Sequence, residues 1–189
     1  MNAAQIKEEV EACRRQWPVL AHDALPIDIL SCLELDLGLD IIPAPDLPAD
    51  AAFAQDWSGI YVNEGDYADL DKNPPSMRNR LRFTLAHEFA HWYLHRPLTA
   101  ARSFRSLREL WTFLHCENGA REWEANEFAG QLLVPADSLR EKFEDLALLP
   151  RQMTAMARLH FARKYAPLYG VNRSVVEIRL GCEGIWPAL

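Results

Sequence analysis

The 189-residue chain lacks the features that several large protein classes require. No window approaches the roughly 18 consecutive apolar residues of a membrane span. The opening segment, MNAAQIKEEVEACRRQW, is acidic and amphipathic, unlike the basic-then-apolar start of an export signal, so the expected location is the cytoplasm. The four cysteines, Cys13, Cys32, Cys116 and Cys182, form no C-x-x-C pair. That argues against a disulfide or thiolate-metal framework and for four small buried hydrophobes in a reducing compartment. There is no internal repeat and no low-complexity tract, and with 49% hydrophobic and 25% charged residues the disordered and collagenous classes are excluded. The length suits one domain, residues 1–189, able to bury a core without staples.

Positive charge is scarce at the start of the chain. Residues 1–75 carry 4 basic and 15 acidic side chains, residues 76–150 carry 10 of each, and residues 151–180 carry 6 basic and 1 acidic. A net charge of −7 repels nucleic acid at long range, although the basic segment 151–180 alone would not.

Apolar residues fall at helical intervals over 3–16, where Pro18 follows, and over 26–37, where Gly38 follows. Residues 39–42 read as a short strand. PAPDLPAD (43–50), with three prolines, reads as an extended connector. Residues 51–55 and 59–63 favour strand, with Trp57-Ser58-Gly59 as the turn, giving a small antiparallel sheet. From an N-cap at Ser76 the pattern turns helical and runs without Gly or Pro to Pro97. Further helices are expected near 121–132, 136–147, 151–165 and 172–180, separated by Pro135, Pro150 and Gly170. The fold class is therefore α+β, with strands early and a mainly helical C-terminal half.

The strongest chemical pattern is His87-Glu88-Phe89-Ala90-His91, an H-E-x-x-H inside the long helix. Residues four apart on a helix lie within ~40° of each other and ~6 Å along the axis, so both imidazoles can reach one cation. Glu88, one position away, is placed to touch a water at that cation without ligating it, as a general base requires. A catalytic zinc commonly takes three protein ligands and keeps a fourth position open. Glu122, Glu124 and Glu127, on the next expected helix, compete for the third place, and the apolar residues around them allow more than one inward face. Asn126, one turn after Glu122, could hydrogen-bond the second nitrogen of a ligating histidine.

RFTLAHEFAHWYLH, followed some thirty residues later by EWEANEFAGQLLVP, resembles the ImmA/IrrE-type family of zinc metallopeptidases over about residues 59–135. The resemblance implies a zincin-like metallopeptidase fold, with His87, His91 and Glu122 holding Zn²⁺, Glu88 as catalytic base and Asn126 supporting a ligand. Glu124 and Glu127 would then be solvent-facing. It also implies that Tyr61, on the GIYVN strand, could line a cleft in which substrate adds as a strand along a sheet edge. The implied substrate is a protein, a helix-turn-helix repressor of a mobile element or stress regulon encoded nearby. The competing reading is a non-proteolytic zinc-containing module, or a toxin-antitoxin component, acting by association with a repressor or DNA.

His95 lies eight residues from His87, rotated by ~80°, and reads as a structural or capping residue rather than a ligand. His115 and His160 have no partner pattern; either could donate to an oxyanion, but a lone histidine reads first as a satisfied structural residue. Residues 166–176, with Gly170 at a sharp turn, have helix-turn-helix spacing, but Pro167 interrupts the first helix and NRSVVEIRL offers few side chains for base edges. Packing, not DNA contact, is therefore expected there.

Overall fold

The computed structural model describes residues 1–21, 24–45, 47, 49–67, 73–99, 102–116, 119–146 and 153–186. Helix α1 (Ala3–Gln16) starts from a capping box in which the Asn2 and Gln5 side chains each accept the other's backbone N–H. Its inner face is Ile6, Val10 and Cys13. Helix α2 (Ile29–Ser31), capped by Asp28, runs into a π-helical turn at Cys32–Asp36.

Strands β1 (Asp40–Ala44), β2 (Ala51–Phe53) and β3 (Gly59–Asn63) form one sheet in the order β1-β3-β2. The β2–β3 pair is antiparallel as expected, with Asp56 accepting from the backbone and hydroxyl of Ser58 in the turn. The sheet as a whole is mixed, which corrects the antiparallel expectation: β1 lies parallel to β3 on its far side. The proline-rich connector carries the chain from one flank of β3 to the other, and strand order of this kind is set by tertiary packing. Pro43, without an N–H, is tolerated in β1 because β1 is an edge strand. Gly59 is required where the two strands meet, since a Cβ there would lie 2.6 Å from the Asp40 carbonyl oxygen.

After α3 (Glu64–Tyr67) comes the long helix α4 (Pro75–Ala90), whose N-cap is Pro74 in place of Ser76. It continues through a π-helical turn at His91–His95 into α5 (Arg96–Thr99), passing the expected stop at Pro97. Helix α6 (Leu107–His115) has no counterpart among the expected elements. Helices α7 (Gly119–Leu133), α8 (Ala136–Glu144), α9 (Ala155–Tyr169) and α10 (Arg173–Cys182) occupy the expected places. Pro150 and residues 151–152 lie outside the described residues. Pro167 does not interrupt α9, which corrects the expectation: only two helical residues follow it, and the carbonyls of Pro167 and Ala166 accept the N–H groups of Gly170 and Val171 to close the end. Gly170 ends α9 in the left-handed region, at φ 59°.

One hydrophobic core runs from Ile6 to Trp186, with α4 against α7 at its centre. Leu81, Leu85 and Phe89 of α4 and Ala125, Phe128 and Leu132 of α7 are buried in it, and the Phe89 and Phe128 rings pack edge to face at 6.0 Å. Cys13 and Cys32 are buried in this core, but Cys116 and Cys182 are exposed just past α6 and at the end of α10, so two of the four cysteines depart from expectation. Among the described residues no helix is long and apolar enough to cross a membrane.

Candidate metal centre

Helix α4 presents His87 and His91 on successive turns, and α7, packed alongside, presents Glu122 from its first turn. The His87 and His91 Nε2 atoms are 3.1 Å apart, and Glu122 Oε1 lies 3.1 Å from His91 Nε2 and 3.6 Å from His87 Nε2. Donors bound to zinc at 2.0–2.1 Å in a tetrahedron are about 3.3 Å from one another, so these three atoms have the spacing of one tetrahedral face. Asn126, also on α7, places Oδ1 3.2 Å from His87 Nδ1, where it accepts that nitrogen's proton and leaves Nε2 bare toward the cluster. The donor set thus fits a divalent cation of zinc type.

His115 at the end of α6 completes a group of four residues whose ligand atoms all lie within 4.8 Å, together with His87, His91 and Glu122. Its Nδ1 donates to Glu122 Oε1 at 2.7 Å, a hydrogen-bond length shorter than the spacing of two ligands on one cation. Sequence reasoning named this residue only as a possible oxyanion donor and gave it no place in the cluster, because α6 was not anticipated. The available signal was Ser106 with Glu109 three residues on, preceding apolar residues at 107, 110, 111 and 114; the Ser106 hydroxyl does accept the Glu109 N–H, at 3.2 Å.

Glu88 is 2% exposed, and among the described residues its Oε2 has no hydrogen-bond partner, nor has His115 Nε2. Glu88 Oε1 and His115 Nε2 are 3.7 Å apart across a cleft of about 310 Å³, which Trp111, Ala51 and Asn126 also line. Buried polar atoms left unpaired beside a cleft are the groups a reacting molecule would satisfy. Burial raises the Glu88 pKa above the usual carboxylate range.

Burial also pushes His91 down to about 3, opposed by the nearby Glu122 carboxylate and aided by the neighbouring imidazoles of His87, His115 and His95. His91 is thus a neutral donor. For Glu122 burial acts upward, but the hydrogen bond from His115 and the closeness of the His87 and His91 imidazoles hold the carboxyl far below its ordinary value. For His87 burial acts downward and is outweighed by Glu122 and Glu88, a net rise that a bound cation would have to reverse.

His95 stands outside the ligand group as a buried structural residue, in keeping with expectation: it is 2% exposed, 2.9 Å from His91 Nδ1 and 3.0 Å from Glu124 Oε2. Three further expectations need correction. Glu124 is accordingly turned inward, its other oxygen meeting the Met1 amine. Glu127 is buried, bonded by Arg179 at 2.6 Å and Gln131 at 2.7 Å. Long side chains from distant elements reach these carboxylates, which spacing along α7 could not reveal. Tyr61 is the one expected site residue not brought to the cluster: it sits on the central strand between Ile42 and Ala52 and does not line the cleft. His160 is exposed. In the basic segment, Arg179 pairs with Glu127, Arg173 with Glu177, and Arg158 donates to the Glu177 carbonyl.

The family model Peptidase_M78, IrrE N-terminal-like domain, matches residues 72–180, a span holding every member of this cluster. A search of curated proteins returns no match.

Proposed function

The chain belongs to the Peptidase_M78 family of IrrE N-terminal-like domains, and from that premise we propose that it is a zinc-dependent endopeptidase of H-E-x-x-H type. The carrying observation is the convergence of His87 Nε2, His91 Nε2 and Glu122 Oε1 at 3.1–3.6 Å beside a buried carboxylate with an unpaired oxygen. These three residues would hold the metal, with Asn126 fixing His87. A Zn²⁺ ion bound there supplies Lewis-acid polarisation of a scissile carbonyl and acidifies water.

Glu88 takes a proton from water as the water oxygen attacks the carbonyl carbon, and returns it to the amine nitrogen as the C–N bond breaks. Its burial, by raising the pKa, favours the protonated interval between those two transfers. His115, with Nδ1 donated to Glu122, turns Nε2 toward Glu88; in its protonated form it donates there to the carbonyl oxygen as charge develops. β2 is the outer strand on that side of the sheet, and its first residue, Ala51, lines the cleft. An extended substrate adding to β2 would run past the cluster, a role the central strand bearing Tyr61 cannot take because both its edges are paired.

The proposed substrate is a helix-turn-helix repressor of a mobile element or stress regulon, acted on in the cytoplasm. Internal pairing of Arg179, Arg173 and Arg158 favours this protein target over DNA contact by residues 151–180. The second reading, a closed and non-proteolytic zinc module acting by association, is favoured by one observation, the proximity of His115 as a fourth donor.

The test is co-expression of the parent and of Glu88→Gln with the helix-turn-helix protein encoded beside it, reading the partner's intact mass. Cleavage by the parent alone is the expected outcome. An intact partner that co-purifies with both forms would replace the peptidase reading with the binding module.

A further inference from the structure

We infer that His95 and Glu124 are positioning residues that fix which nitrogen of His91 carries its proton, and thereby tighten metal binding; the inference rests on the metal-centre reading above. An ionised carboxylate only accepts, so at 3.0 Å from Glu124 Oε2 the His95 Nε2 must carry a proton. A neutral imidazole protonated at Nε2 has a bare Nδ1. That nitrogen is 2.9 Å from His91 Nδ1, so His91 Nδ1 is the donor and carries the His91 proton. The remaining nitrogen, His91 Nε2, is left with its lone pair facing His87 Nε2 and Glu122 Oε1, each 3.1 Å away.

The two histidine ligands are therefore oriented by different devices. His87, at the cleft side, is set by the amide oxygen of exposed Asn126. His91 and His95 are 0% and 2% exposed, so no bulk water can take the place of the relay. The two residues open and close the π-helical turn His91–His95, and their ring centroids are 5.0 Å apart. Without an acceptor at His95, His91 could move its proton to Nε2 and present an N–H where a cation needs a lone pair. Partners of this kind are worth roughly 10–100-fold in metal affinity.

The test uses the full chain in four forms: parent, His95→Leu, His95→Gln and Glu124→Leu. Zinc affinity is measured by competition with a chromophoric chelator, and His91 tautomer by ¹⁵N imidazole spectra of the metal-free protein. His95→Leu is expected to weaken zinc binding by about 10–100-fold. His95→Gln, whose side-chain carbonyl can accept the His91 proton, should recover most of that loss. Glu124→Leu should weaken binding in the same direction and serves where His95→Leu does not fold. The parent spectrum should place the His91 proton on Nδ1. Parent-like affinity in a folded His95→Leu or Glu124→Leu form, or a parent His91 protonated at Nε2, would overturn the relay. A parent that binds no zinc while His91 still carries its proton on Nδ1 would instead overturn the metal-centre reading and leave the hydrogen-bond chain standing.

Discussion

Each side chain of the centre owes its role to its immediate partners. His115 donates one nitrogen to Glu122 and leaves the other unpaired toward Glu88. If it faces substrate, His115→Ala should keep its zinc and lose about 10²–10³-fold in turnover, the usual cost of one oxyanion donor. Loss of zinc, read by metal analysis of the purified variant, would make it a fourth ligand and favour the closed module. The cysteines give an independent check on burial. Burial raises the Cys13 thiol above its ordinary 9.0 and brings Cys32 up to about 12, whereas Cys116 and Cys182 are exposed. At pH 8 a thiol reagent should therefore modify two cysteines in the native protein and four after unfolding. Because the folded pKa of Cys32 is raised, the folded state binds more protons between pH 9 and pH 12. Its contribution to stability is full below pH 9 and falls as pH rises through that window, which urea titrations at pH 8 and pH 10 would register.

At the scale of elements, what was legible depended on how local the signal was. The H-E-x-x-H helix could be read because the pattern, its apolar flanks and its length all lie within twenty residues. The choice of Glu122 over Glu124 and Glu127 could not be made from spacing and came from resemblance. The other two carboxylates are held by groups far along the chain, half-buried Glu124 by His95 and buried Glu127 by Arg179. Parallel pairing of β1 with β3 was illegible for the same reason, while the local β2–β3 hairpin was plain. The turn between α9 and α10 was legible from Gly170, although not the run of α9 through Pro167 up to it. At φ 59° an L-residue costs roughly 1–2 kcal/mol. A Cβ there would also lie 2.7 Å from Arg82 Nε and 2.9 Å from Pro26 Cβ. Arg82 donates to the Gly170 carbonyl at 3.1 Å and to that of Ile27, so displacing it would loosen the joint between α4 and α9. Gly170→Ala should lower the urea midpoint by at least the equivalent of ~1–2 kcal/mol, with the slope unchanged.

Across the whole molecule, both described ends of the chain are fastened to the helix that carries Glu122. From α1, buried Arg14 donates to the carbonyls of Gln131 and Leu132 at 3.0 and 2.9 Å, satisfying groups that the end of α7 leaves open. Gln131 returns a bond to the Ala3 carbonyl at 3.1 Å. From α10, Arg179 reaches Glu127 in the middle of α7, at 2% and 9% side-chain exposure. A buried ion pair of this kind gains little over an apolar pair, because both charges must leave water, but removal of one partner strands the other. Arg179→Met should accordingly cost ~3–5 kcal/mol in urea unfolding, since Glu127 would keep only the Gln131 amide. The double change Arg179→Met with Glu127→Leu should recover most of that loss. Gly130 leaves the room for this contact, its missing Cβ lying 3.0 Å from Arg179 Cδ. If the pair only anchors α10, the double variant will bind zinc as the parent does, because Glu122 and Asn126 sit at the other end of α7. A double variant that regains stability yet binds zinc more weakly would mean that α10 also sets the pitch at which α7 presents its ligand.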